Sequence, residues 1–132
     1  MRTATMPVQP ANITQTLFVL RSANMTLTTD QALTKQFTGT NYVVTNVMAV
    51  TKSGAFGVAC TGGVYTGAGK TGDAVVSAAQ SWNGLTSTGS TSVVPSANII
   101  QKQETATPFL SLTTGNTGTL TADLFIQGMV TD

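Results

Sequence analysis

The chain has 132 residues, enough for one domain with its own core. Apolar residues make up 41%, charged residues only 8%, and the formal net charge is +1, against about 25% charged residues in an ordinary soluble domain. The six basic residues are scattered (Arg2, Arg21, Lys35, Lys52, Lys70, Lys102), so no nucleic-acid footprint and no basic amphipathic helix for a membrane surface is present. No residue is histidine, which removes the commonest general base and neutral metal ligand.

In chain order, residues 1–12 carry Pro7 and Pro10 and almost no apolar periodicity. They read as an extended arm that orders against a partner. The opening stretch lacks a long apolar run, so no signal peptide is expected, and no run reaches transmembrane length. From residue 13 onward the pattern is β and predicts a single domain over 13–132. "TQTLFVLRS" reads as a strand. "NMTLTTDQAL" turns near Thr29-Asp30, and "TDQALTKQF" is the one place where a short helix competes. "NYVVTNVMAVTKS" is the strongest strand, with Val43, Thr45, Val47 and Ala49 assigned to one face. Ser53-Gly54 marks a turn before "AFGVACTGGVYTGAG". "DAVVSAAQSW" is too short to choose between two helical turns and a strand. "NGLTSTGSTSVV" reads as a loop between short strands. Pro95 and Pro108 set off "ANIIQKQE" and "PFLSLTT", "GNTG" makes a tight turn, and "TLTADLFIQGMV" places Leu120, Ala122, Leu124 and Ile126 on one face. The sum is about eight to ten short strands at roughly ten-residue spacing, the sign of an antiparallel sandwich or barrel.

Chemistry-bearing motifs are sparse. "GGVYTGAGKTGD" imitates a phosphate-binding loop, which needs Gly, four residues, then Gly-Lys-Ser/Thr. Gly69-Lys70-Thr71 supplies the end, but Val64 stands where the first glycine belongs. The stretch therefore reads as a turn between strands, with Gly67, Gly69 and Gly72 at positive φ and Lys70 at the tip. The carboxylates Asp30, Asp73, Glu104, Asp123 and Asp132 form no paired motif; Asp73 and Asp123 are the two whose meeting would be needed for hydrolase chemistry. Cys60 has no imidazole partner and reads as a small buried hydrophobe. Trp82, Tyr65 and Tyr42 are the aromatics that could stack on a sugar. Trp82, before the Asn83-Gly84 turn, is the first choice for an exposed partner contact. No enzyme activity, cofactor or metal is expected. Few lysines and prolines guard the edges of a sandwich, which predicts that a neighbouring subunit covers some of them.

Four stretches carry a family resemblance: "LRSANMTLTTDQALT", "TNYVVTNVMAVTKSG", "GGVYTGAGKTGDAVVSAAQSWNGLTS" and "TPFLSLTTGNTGTLTADLFIQG". Together they cover roughly residues 17–128. In the order of their strands and turns they resemble the jelly-roll capsid decoration proteins (cement or head-fibre proteins) of tailed bacteriophages. The resemblance implies an all-β jelly-roll-like sandwich with an extended N-terminal arm. It further implies a homotrimer made in the host bacterial cytoplasm and seated on the outer capsid surface of the virion, with the major capsid protein as partner. No catalytic residues transfer from such a family. Arg2, Pro7 and Pro10 of the arm, with Lys70 and Trp82, are the candidate capsid or subunit contacts. The alternative is a tail or fibre component that binds a host glycan through an exposed Trp82 or Tyr65.

Overall fold

The computed structural model describes residues 14–54 and 60–132. The 1–12 arm, and with it Arg2, Pro7 and Pro10, lies outside the described residues. Among the described residues there are ten strands: β1 (Gln15–Asn24), β2 (Gln31–Ala32), β3 (Thr34–Lys35), β4 (Tyr42–Ser53), β5 (Thr61–Gly67), β6 (Thr71–Val76), β7 (Thr91–Val93), β8 (Gln103–Glu104), β9 (Phe109–Thr114) and β10 (Thr121–Val130). The segment that could have been a short helix holds β2 and β3 instead, and a 3-10 turn, Ser96–Asn98, is the helical element among the described residues.

The strands form two sheets. One runs β3-β1-β10-β4, with β7 and β8 both on the far side of β4; the other runs β2-β9-β5-β6. Every pairing is antiparallel, and early strands meet late ones: β1 with β10, β2 with β9, β4 with β7 and β8, β5 with β6. This is a chain folded back on itself as one long hairpin and then wrapped into two sheets, with β3 added at the outer edge of β1, a jelly-roll-like β-sandwich. Leu33 marks where the chain passes from β2 in one sheet to β3 in the other; it is buried, and its N–H donates to the Pro108 carbonyl at 3.1 Å.

Alternation explains why the long strands sit as they do. β10 alternates cleanly along its length, with Ala122, Leu124, Ile126 and Val130 turned into the core. β4 departs from the simple reading. Tyr42 and Val44 point inward, but so do Val47, Ala49 and Thr51, because the register against β10 slips between Gly128/Val44 and Gln127/Asn46. A bulge at Thr45 thus changes the parity, and Val43 and Thr45 face away from the side taken by Val47 and Ala49. Between the sheets, Phe18, Phe37 and Tyr42 meet edge to face with centroids 5.0–5.8 Å apart. Leu17, Met25, Trp82, Leu85, Leu110, Leu112 and Leu120 fill one continuous core with them. Burying each such side chain contributes about 1.5–3 kcal/mol before chain entropy is charged against it.

The sheet edges are managed within the chain. β2, β3 and β8 are two residues long and β7 three, too short to template a neighbouring strand. Along β6, residues 98–100 supply a cover: Ser77 N–H donates to Asn98 O at 2.8 Å and Ile100 N–H to Val75 O at 3.1 Å. Past the β1 bulge, the Gln31 amide mimics a strand, accepting from Asn24 N–H and donating to Asn24 O, both at 2.8 Å. Parts of the sheet edges are thus covered within the chain itself.

Candidate interaction surface

The outer face of the six-stranded sheet carries a row of mostly apolar side chains set by the strand register. Thr34 pairs with Val19, Val19 with Phe125, Phe125 with Met48, and Met48 with Val93. These side chains stand on the outward parity and so form one row across five strands, about 19 Å long at ordinary strand spacing. Four of the five are apolar; Val93 at the end is 58% exposed, Met48 and Phe125 are half-buried, and Val19 is buried. Arg21 lies over Phe125, its guanidinium carbon 5.2 Å from the ring centroid, a cation–π contact. The next row is polar but uncharged: the Asn46 amide donates to Gln127 Oε1 at 2.8 Å. On the other flank Asp123 accepts from Ser22 N–H at 2.8 Å and from Arg21 at 3.4 Å, while Lys52 donates to the Ser22 hydroxyl at 2.8 Å. Ser22 sits at φ 53 in the β1 bulge, which aims its N–H at Asp123. A hollow of about 310 Å³ lined by Val19, Leu20, Arg21, Thr34 and Gln36 adjoins the β1 end of the row.

The glycine-rich stretch is the β5–β6 hairpin, with Gly67 paired to Thr71. Gly69 and Gly72 have positive φ as expected; the third such residue is Lys70 (φ 62), and Gly67 is not among them. The tip amide that would face a phosphate is already engaged: Gly69 N–H donates to Asp30 Oδ2 at 2.7 Å. That bond is the main reason the Asp30 carboxyl is held below its ordinary value. Lys70 Nζ turns back to the Thr28 carbonyl at 2.9 Å. A strand, not a helix, comes after the loop, so a phosphate-binding arrangement is absent at this hairpin.

Trp82 does not reach solvent. It is fully buried, its indole N–H donates to Gly62 O at 3.1 Å, and its own N–H donates to Cys60 O at 2.9 Å. The turn signal at Asn83-Gly84 is a poor guide, because residues 80–82 continue the ladder beside β5 beyond the end of β6, and this draws the indole inward. Trp82 is therefore a core residue, not a partner contact. Tyr42 and Tyr65 are buried too, so none of the three offers a stacking platform for a sugar. Cys60 is buried, and desolvation pushes its thiol up to about 11, far from a thiolate nucleophile.

The acids do not pair as the hydrolase reading would need. Asp123 is taken by Arg21 and Ser22 on the outer face, while Asp73 accepts from Lys102 Nζ at 2.9 Å. Asp73 instead influences Glu104: burial first, and then Asp73, raise the Glu104 carboxyl above its ordinary value. Nothing in the spacing of the chain hints at this influence, since the residues are far apart and come near only through the wrapping of the two sheets. Among the described residues no group of three or more Cys, Asp or Glu could hold a metal ion, and no helix is long and apolar enough to cross a membrane. Comparison of the chain with protein-family models, with curated proteins and with solved structures finds no match.

Proposed function

We propose that this chain is a structural protein of a tailed-phage virion, a decoration or cement protein that binds the outer capsid and stabilises the shell. The observation that supports it is the outer face of the six-stranded sheet: a mostly apolar row with neutral amides on one flank and, on the other, an Arg21–Asp123 ion pair that already compensates its own charge, on a chain with only 8% charged residues. Such a face can be buried against a major capsid protein with little charge desolvation. Apolar burial contributes about 25 cal/mol per Å² before association costs, and many modest copies on a lattice add up through avidity. Each copy bridging two capsid subunits raises the work needed to separate them. A homo-oligomer, a trimer by the resemblance, would increase that avidity. Lys70 at the hairpin tip and the 1–12 arm remain the further contacts in this reading.

The test is the copy number in purified virions relative to the major capsid protein, by quantitative mass spectrometry. Tens to hundreds of copies are expected. A handful would move the protein to the tail or a vertex, and none would end the virion reading.

A further inference from the structure

One flank of the six-stranded sheet's outer face carries more positive charge than negative. Arg21 of β1 and Lys52 of β4 stand there with Asp123 of β10. Asp123 is already engaged, accepting from Ser22 N–H at 2.8 Å and from Arg21 at 3.4 Å. Lys52 Nζ donates to a neutral group, the Ser22 hydroxyl, at 2.8 Å, and takes part in neither of the two ion pairs found among the described residues. The other acids of those residues are committed elsewhere: Asp30 to Gly69 N–H, Asp73 to Lys102 and Asp132 to Thr40 N–H, while Glu104 is turned inward. Two cations against one carboxylate leave one positive charge on this flank. Arg21 also has donors to spare. Its side chain is 67% exposed, and its guanidinium, a rigid fork of N–H donors, makes one hydrogen bond to a described residue. The Phe125 ring, 5.2 Å from the guanidinium carbon, limits the freedom of that fork before any partner arrives.

We propose that the occupant of this face is an extended segment of the major capsid protein that brings an aspartate or glutamate side chain to Arg21 and Lys52 and lays apolar side chains over Phe125, Met48 and Val93. It rests on the capsid reading above and names what the shell must present at the contact. Desolvation is the reason. An uncharged partner laid on this flank would strand the Lys52 charge, and a buried charge without a counterion is strongly unfavourable. A carboxylate removes that cost and gains charge-assisted bonds to the Lys52 ammonium and to the idle edge of the Arg21 fork. A basic partner would set like charge against like and is refused. The opposite flank asks for less, because Asn46 and Gln127 are already joined by an amide bond at 2.8 Å. The row is about 19 Å long, which about six extended residues span. A single acid in an otherwise apolar or neutral segment therefore matches the face in charge and in reach.

The experiment measures retention of the full chain on purified capsids stripped of this protein, at low and high salt, followed by carbodiimide coupling of the bound complex and mass spectrometry. The double variant Arg21→Gln with Lys52→Gln should lose at least about tenfold in retention at low salt with an unchanged melting temperature. Its retention should also depend less on salt than that of the parent. Arg21→Lys keeps the charge without the fork and should fall between the two. Carbodiimide should join Lys52 Nζ to an aspartate or glutamate of the capsid protein that lies among apolar residues. Full retention by a well-folded double variant overturns the proposal, and the capsid reading survives it as long as the parent binds. A bound complex with no link from Lys52 to a capsid acid overturns it too, as does a link from Lys52 to an acid of a second copy of this chain. A parent chain that does not bind capsids ends the capsid reading and this proposal together. The cross-link on the parent chain decides the matter even if a variant fails to fold.

Discussion

The two sheets of this sandwich are specified by different physics. The six-stranded sheet rests on side-chain alternation along β10 and β4, ten and twelve residues long, and its outer face is left open. The six-stranded sheet has one close backbone approach, at Gly128, where a Cβ would lie 2.0 Å from Val43 O, whereas the four-stranded sheet has two in succession. A Cβ on Gly62 would lie 2.4 Å from Leu112 Cα, and one on Gly63 would lie 2.2 Å from Val76 O. Residues 80–82 then extend its ladder and seat Trp82 in the core. One sheet is set chiefly by the alternation of its long strands, and the other by glycines that let a neighbouring backbone in.

The largest expected effect comes from removing that seat. Trp82→Ala leaves a large cavity and the Gly62 carbonyl without its indole donor, and should cost about 3–5 kcal/mol in denaturant unfolding. A loss below about 1 kcal/mol would mean that the indole is not filling the core. Next comes Gly63→Ala, which drives a methyl into a backbone carbonyl and should cost about 1–3 kcal/mol. Its control is Gly69→Ala, where open space surrounds the site and only the positive φ opposes the side chain; about 1 kcal/mol is expected there. Equal losses at the two glycines would remove close approach as the organising feature of the four-stranded sheet.

The same contrast explains what could be read from residues alone. Alternation is local, so β10 is legible in full and β4 in outline. The Thr45 bulge escapes because nothing in "VVTNV" distinguishes an extra residue from an ordinary one. In the four-stranded sheet, glycine marks turns correctly at Gly69 and Gly72 but gives no sign that Gly62 and Gly63 admit a neighbouring backbone. Trp82 is misplaced by its sequence context because a turn signal beside an aromatic says nothing about the strand it docks against. The Asp73–Lys102 ion pair needs the chain to bring residue 102 back alongside β6, which no spacing in the chain records.

On the open face, the expected effect moves from stability to binding. Phe125→Thr with Met48→Thr keeps strand propensity while removing the centre of the apolar row. Both side chains are only partly buried, so unfolding should shift by no more than about 1 kcal/mol. Retention of the protein on purified capsids should fall at least tenfold if this row is the contact, since about 1.4 kcal/mol per copy already has that effect. Undiminished retention by a well-folded double variant would place the contact elsewhere, with the hairpin tip and the arm next in line.

The smallest effect is expected at Lys70, and it bears on the resemblance of "GAGKT" to a nucleotide loop. The Lys70 side chain makes one exposed hydrogen bond, to the Thr28 carbonyl, and its backbone already occupies φ 62. Lys70→Ala keeps that backbone cost and removes an exposed bond, so a change within about 0.5 kcal/mol is expected. Asp30→Ala should cost more, because it leaves the Gly69 amide without its acceptor. This order, Asp30 above Lys70, is the signature of a hairpin held by its own chain. In a phosphate loop the lysine would dominate and ATP would protect the tip from exchange. Protection by ATP that disappears in Lys70→Ala would therefore overturn the assignment of this hairpin to structure alone.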